Sequence, residues 1–197
     1  MNLKYKFQPL SEQAYLDGEL LSEIRHELIN GDVYAMAGAS TNHNRLVSSI
    51  IREFGVHLKN TPCEPFASDM KVQVGKDFFY PDALVVCDHK ANDYGITDTP
   101  LIIVEVLSKS TRRIDHTLKR TAYQKLPSLQ EYVVIEQDVV DVEVCRRNNH
   151  WQPEHFYLGD EVFFESIDCR VPVAEIYDRV VNDDMNDYLK FMEADSL

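Results

Sequence analysis

Apolar residues recur along this chain at two spacings, and the change from one to the other marks out its elements. Ser11 can cap a short helix carrying Ala14 and Leu16. Arg25 to Ile29 and Asp32 to Met36 read as short extended segments around Asn30-Gly31, a hairpin dipeptide because both turn positions need positive φ. After the punctuation of Gly38 to Asn42, the stripe Leu46, Val47, Ile50, Ile51, Phe54 and Leu58 predicts a helix, closed by Pro62 and Pro65. From Phe66 to Val74 the spacing turns strand-like, with Met70, Val72 and Val74 alternating against Lys71 and Gln73. Lys76-Asp77 turns into a strand that starts at Phe79 and runs on through Tyr80 to Val86. A polar loop from Asp88 to Pro100 leads to the aliphatic strand Leu101 to Leu107.

Ser108 to Thr111 offers caps for a second helix, whose stripe of Ile114, Leu118, Ala122 and Leu126 ends at Pro127. Glu131 to Ile135 and Val139 to Cys145 form a predicted strand pair. Trp151 to Leu158, Glu161 to Glu165 and Cys169 to Val173 follow as further short strands. This order predicts an α+β fold: a mixed central β-sheet flanked by helices, with an N-terminal β-hairpin and extra C-terminal strands. Without repeats or linkers, residues 1–178 read as a single domain and 179–197 as an acidic C-terminal tail. Met185, Tyr188, Leu189, Phe191 and Met192 among the tail's acids fit an amphipathic helix, and a chain terminus equally fits disorder.

Length and composition add bounds. A chain of 197 residues with 44% hydrophobic content can bury a full core. The longest apolar run, Leu101 to Leu107, is far too short to span a bilayer, and no secretory signal follows Lys4 and Lys6. Cys63, Cys87, Cys145 and Cys169 show no zinc spacing, so free thiols in a reducing cytoplasm are expected. A formal charge of −13 counts against a broadly basic nucleic-acid surface. Any such face must be local, as in the cluster Arg112, Arg113, Lys119, Arg120 and Lys125, which also reads as a solvated helix face.

Two acids change the picture. Asp82 stands at the mouth of the Tyr80–Val86 strand and Glu105 lies inside the aliphatic strand. A turn aspartate after proline is common, but a charged Glu between Val104 and Val106 must be compensated by a cation or donor. Two carboxylates from neighbouring strands suit a hard divalent cation. Asp115 and Lys119 stand at i and i+4 on the second helix. They read either as a surface ion pair or as a lysine leaning over the acids to position a water.

Pro81-Asp82, Ile103-Val104-Glu105-Val106-Leu107-Ser108, then Asp115-x-x-x-Lys119 and Tyr123, resemble the PD-(D/E)XK nuclease superfamily. More narrowly, the chain resembles the large bacterial family labelled "putative restriction endonucleases". Glu27-Leu28-Ile29-Asn30-Gly31-Asp32 and His43 match that family's opening, and the similarity covers Ser11 to Asp178. The resemblance implies a restriction-endonuclease-like fold. It also implies Mg²⁺ or Mn²⁺ held by Asp82, Glu105 and the backbone carbonyl of Val106. The superfamily's lysine two residues after the strand acid is replaced here by Leu107, which implies a migrated lysine. Lys119 is the natural substitute, ahead of Lys71, Lys109 and Lys125. Glu27 could be an additional metal ligand or a solvated strand residue, His43 a phosphate contact or a surface cap, and Asp69 a flanking acid or a strand-start acid.

The leading expectation is an endonuclease acting on DNA, with a homodimer implied by superfamily analogy. The competing expectations are a binding module for nucleic acid or protein that has lost catalysis, and a metal-binding regulator. The missing lysine and the acidic charge favour the binding module.

Overall fold

A computed structural model describes residues 10–36, 38–107 and 115–194, without the side chains of Asp115 and His116. In chain order, α1 (Glu12–Glu19) leads to the hairpin β1 (His26–Ile29) and β2 (Asp32–Ala35), then to α2 (Thr41–His57). Next come β3 (Cys63–Ala67), β4 (Lys71–Val74), β5 (Asp77–Phe79), β6 (Ala83–Cys87), β7 (Ile96–Thr97) and β8 (Pro100–Leu107). A π turn at Asp115–Lys119 runs into the single turn α3 (Arg120–Tyr123). β9 (Glu131–Glu136), β10 (Val142–Arg146), β11 (Pro153–Phe156), β12 (Glu161–Phe164) and β13 (Cys169–Pro172) follow, then α4 (Val173–Ile176) and α5 (Asp183–Ala194).

The aliphatic runs become the middle of one mixed sheet in the order β11-β10-β9-β8-β6-β3. β8 pairs parallel with β9 and antiparallel with β6. Alternation then sends successive residues to opposite faces. Val104, Val106, Val133 and Ile135 join the cluster that includes Leu46, Ile50 and Phe54 of α2. The β12–β13 hairpin, α4 and Met185 of α5 belong to the same cluster. Ile103, Leu107, Tyr132 and Val134 pack instead with Val72, Val74 and Phe79 of a second sheet, ordered β2-β1-β5-β4-β7, and with Ala122, Tyr123 and Leu126 around α3. Leu28 and Phe78 meet Tyr15 of α1 in a third cluster. The α+β class, the mixed sheet, the N-terminal hairpin and the C-terminal strands all stand as the sequence predicts.

Local chemistry explains several boundaries. Ser11 and Ser40 cap α1 and α2 through side-chain oxygens that accept amides at 3.2 and 3.1 Å. Asn30 and Gly31 both take positive φ, as a tight hairpin turn needs. Glu131, 1% exposed, accepts the amides of Glu165 and Ser166 and lies 3.3 Å from the guanidinium of Arg146, so its charge is compensated.

Several expectations are corrected. The single strand Phe66–Val74 is two strands, β3 and β4, because the chain breaks at Ser68 (φ 35°) and changes sheet. The strand from Phe79 to Val86 likewise divides at Tyr80-Pro81-Asp82 into β5 and β6. The Asp88–Pro100 loop contains β7, parallel to β4. The proposed caps Ser108–Thr111 and Ile114 lie outside the described residues. Leu118 is 38% exposed rather than part of the buried stripe. A π turn carries an extra residue per turn, so the inward positions become Lys119, Ala122, Tyr123 and Leu126.

Cys63 and Cys87 are not free thiols. They stand directly opposite each other in the β3–β6 register and form a disulfide. The expectation of a reducing compartment loses that support. Cys145 and Cys169 are buried thiols, pushed up by burial to about 12 and about 11 respectively.

Two stability outcomes follow from these contacts. The disulfide spans 24 residues, so the chain-entropy relation gives it about 3 kcal/mol. Guanidinium unfolding of the Cys63→Ser/Cys87→Ser double variant is expected to show a loss of that size. Phe54 is fully buried and packs edge-on to Phe164 with ring centroids 4.8 Å apart. Thermal and chemical unfolding of Phe54→Ala should show a loss of about 3–5 kcal/mol.

Candidate active site

The chain leaves one sheet and enters the other at Tyr80-Pro81-Asp82. Proline has no amide to offer a ladder, and the neighbouring groups find partners in side chains. The amide of Tyr80 donates to Glu27 Oε1 at 3.0 Å. Asp82 falls one step beyond the Ala83–Val104 register pair, which sets it opposite Glu105. Its Oδ2 accepts the amide of Val106 at 2.7 Å. Its Oδ1 lies 3.1 Å from Nε2 of His43, in the first turn of α2. Nδ1 of His43 is buried and makes no hydrogen bond among the described residues.

Glu105, 2% exposed, shares its face of β8 with Ile103 and Leu107. Its Oε1 accepts from Lys119 Nζ at 3.3 Å and from the Tyr123 hydroxyl at 3.1 Å. The same ammonium is 2.9 Å from Glu27 Oε1, and Lys119 is 6% exposed. One cation thus meets acids from both sheets. Burial first, and the Glu105 charge second, raise the Tyr123 hydroxyl well above its ordinary pKa. It therefore stays protonated and remains a donor to Glu105.

The structure gathers Glu27, His43, Asp82, Glu105, the amide of Val106 and Lys119 around this corner. Asp69 is not gathered: it is a surface acid paired with Arg25, its side chain 70% exposed. The side chain of Asp115, like Lys109, lies outside the described residues. Lys71 donates to the Tyr94 carbonyl at 2.6 Å, and burial lowers its pKa.

Sequence reading includes Tyr123 in the motif but gives its hydroxyl no role, although its place four residues after Lys119 puts both on one helical face. It also missed Glu19, which accepts from the Tyr80 hydroxyl at 3.0 Å and lies 2.8 Å from Nδ1 of His26. No periodicity signals a contact made across so much chain. The carboxylates are hard oxygen donors of the type Mg²⁺ takes. That donor chemistry fits the ion, while among the described residues no group of three His, Cys, Asp or Glu side chains is arranged to hold one.

Comparison with known proteins agrees with this architecture. The chain is 31% identical over 176 residues to the uncharacterized protein slr1290 of Synechocystis sp., covering 87% of this chain and 93% of that one. It is 33% identical over 148 residues to the uncharacterized protein sll1609 of the same organism, covering 73% and 80%. Its fold matches the crystal structure of a "putative nuclease belonging to DUF820" from Anabaena variabilis with a TM-score of 0.69 and 19% identity, over 88% of this chain and all of that one. Residues 12–167 match the Uma2 family, described as "Putative restriction endonuclease", and the chain belongs to that family.

Proposed function

We propose that this protein is a Mg²⁺- or Mn²⁺-dependent endonuclease that hydrolyses DNA phosphodiester bonds at the Asp82–Glu105 corner. The observation that carries this reading is Lys119, 3.3 Å from Glu105 although it departs from a helix rather than from β8. Asp82, Glu105 and the carbonyl of Val106 would hold the ion. Bound there, it would lower the pKa of a coordinated water and offset charge on the scissile phosphate.

Each remaining role belongs to a side chain or amide of this chain. Lys119 holds the attacking water and adds positive charge where the transition state gathers negative charge. Glu27 anchors the lysine, and the Tyr80 amide anchors Glu27. Tyr123 fixes Glu105, while His43 and the Val106 amide fix Asp82. Such supporting contacts hold reacting groups in a narrow geometry. A homodimer would present two such corners to two strands.

One observation favours a second reading, a binding module without catalysis: Lys119 already satisfies both Glu27 and Glu105 as their cation. Cleavage of supercoiled and linear DNA with Mg²⁺ or Mn²⁺ separates the two. The wild type should cleave, and Asp82→Ala, Glu105→Ala and Lys119→Ala should each lose about 100-fold or more in rate. Retained activity in Lys119→Ala would remove the lysine from the mechanism, and no cleavage by the wild type would favour the binding module.

Stability supplies a separate readout. Lys119→Met leaves two buried acids without this cation, an expected loss of about 3–5 kcal/mol in denaturant titrations. Under the nuclease reading, saturating Mg²⁺ restores part of that loss.

A further inference from the structure

Beside the acidic corner stands an aromatic side chain to which the mechanism gives no role. In the β1–β2 register Tyr34 is the partner of Glu27, and Asp32 the partner of Ile29. Partners across an antiparallel pair project from the same face, with Cβ atoms about 4.5–5.5 Å apart. On that face Ile29 packs with the central sheet and Glu27 lies 2.9 Å from Lys119 Nζ, whereas Leu28 turns the other way to Tyr15 of α1. Tyr34 therefore stands on the face that carries the corner, one strand further out. β2 is the edge of its sheet, and Tyr34 is 49% exposed there. The chain runs on from β2 into α2, whose first turn brings His43 to 3.1 Å from Asp82. The strand that carries Tyr34 thus leads from the Glu27 side of the corner to the Asp82 side. Tyr15, Tyr80 and Tyr123 are buried, and each hydroxyl donates to a carbonyl or a carboxylate. Tyr34 makes no hydrogen bond or ring contact among the described residues.

We infer that Tyr34 is a platform on which an unpaired nucleobase of the DNA substrate stacks, next to the phosphate held at the corner. Every base has a π-face, so an exposed aromatic ring can take one without reading its sequence. The charges around the ring favour a base over a phosphate. Asp32 shares the face and has no cationic partner among the described residues. Arg25, two residues before Glu27 on the same face, is already paired with Asp69 at 2.5 Å. A phosphate over Tyr34 would be repelled by the Asp32 carboxylate, and a neutral base would not. Bases inside a duplex cover one another, so the ring serves a base that has left the stack or lies in a single strand. The choice of DNA as occupant rests on the nuclease reading, whereas the placement of the ring does not.

The test is binding of a fluorescently labelled 20-nucleotide single strand to the full chain, in EDTA and again in Ca²⁺. Tyr34→Ala, Tyr34→Leu and Tyr34→Phe are compared with wild type and with Tyr157→Ala, an exposed tyrosine beyond β11 at the edge of the central sheet. Tyr34→Ala and Tyr34→Leu should bind about fivefold or more weakly, because neither offers a ring. Tyr34→Phe and Tyr157→Ala should bind as the wild type does. A strand of the same length built of abasic residues keeps the phosphates and lacks the bases, so wild type and Tyr34→Ala should bind it equally. A blunt duplex should show a smaller loss in Tyr34→Ala than the single strand shows. Matching unfolding curves would show that the weaker binding is not misfolding.

Undiminished binding by Tyr34→Leu overturns the inference, as does a wild type that binds no strand in either buffer. A loss in Tyr34→Phe equal to that in Tyr34→Ala, or an equal loss on the abasic strand, overturns stacking. An equal loss on the duplex overturns the unpaired base. Ring-dependent binding without cleavage sustains the platform while the nuclease reading fails. Cleavage with ring-independent binding does the reverse.

Discussion

The ammonium of Lys119 between Glu27 and Glu105 is the contact on which the arrangement of this protein turns. Glu27 comes from one sheet, Glu105 from the other, and the lysine from the helical segment lying against both. Buried acids on facing sheets would repel each other and resist desolvation if no cation stood between them. With the lysine present, the same charges tie three elements at one point. Aliphatic packing of Ile103, Leu107, Tyr132 and Val134 against Val72 and Phe79 then surrounds a polar centre rather than excluding one.

Tyr80-Pro81-Asp82 makes that centre reachable. The chain changes sheets there, so neither β5 nor β6 continues across the corner. The Tyr80 amide, freed from a strand ladder, turns to Glu27, and the Asp82 carboxylate accepts the Val106 amide. A polar corner between two sheets is costly for a core and useful for chemistry, since side chains from several elements meet with their positions already fixed.

Much of this is legible in the sequence because it is local. Asn30-Gly31, the α2 stripe and the acid inside Leu101–Leu107 each announce themselves within a few residues. Asp82, Glu105 and Lys119 stand out there, Glu27 and His43 read equally as a solvated strand residue and a surface cap, and the structure brings all five to one corner. What stays hidden depends on partners distant in sequence. Extended-type sequence lies on both sides of Ser68 and of Pro81, so the pattern does not say that the strands on either side belong to different sheets. The Cys63–Cys87 bond follows from a register that neither cysteine reveals alone. Asp69 has the residue type of a site acid, but in the fold it stands at the surface, paired with Arg25 from a distant part of the chain. Leu118 reads as inward-facing because a strict four-residue spacing assumes an uninterrupted α-helix.

The π turn at Asp115–Lys119 makes the corner sensitive to chain length as much as to composition. Its extra residue sets the rotational phase that turns Lys119 towards the acids and Leu118 towards solvent. Deleting one residue there would let the backbone relax to ordinary helical winding and rotate the following side chains by about 100°. Every acid, and the lysine itself, would survive in such a chain, yet the lysine would face elsewhere. Relatives that keep the residues but differ by one position in this turn would therefore differ in chemistry, a divergence that residue-by-residue identity would not register.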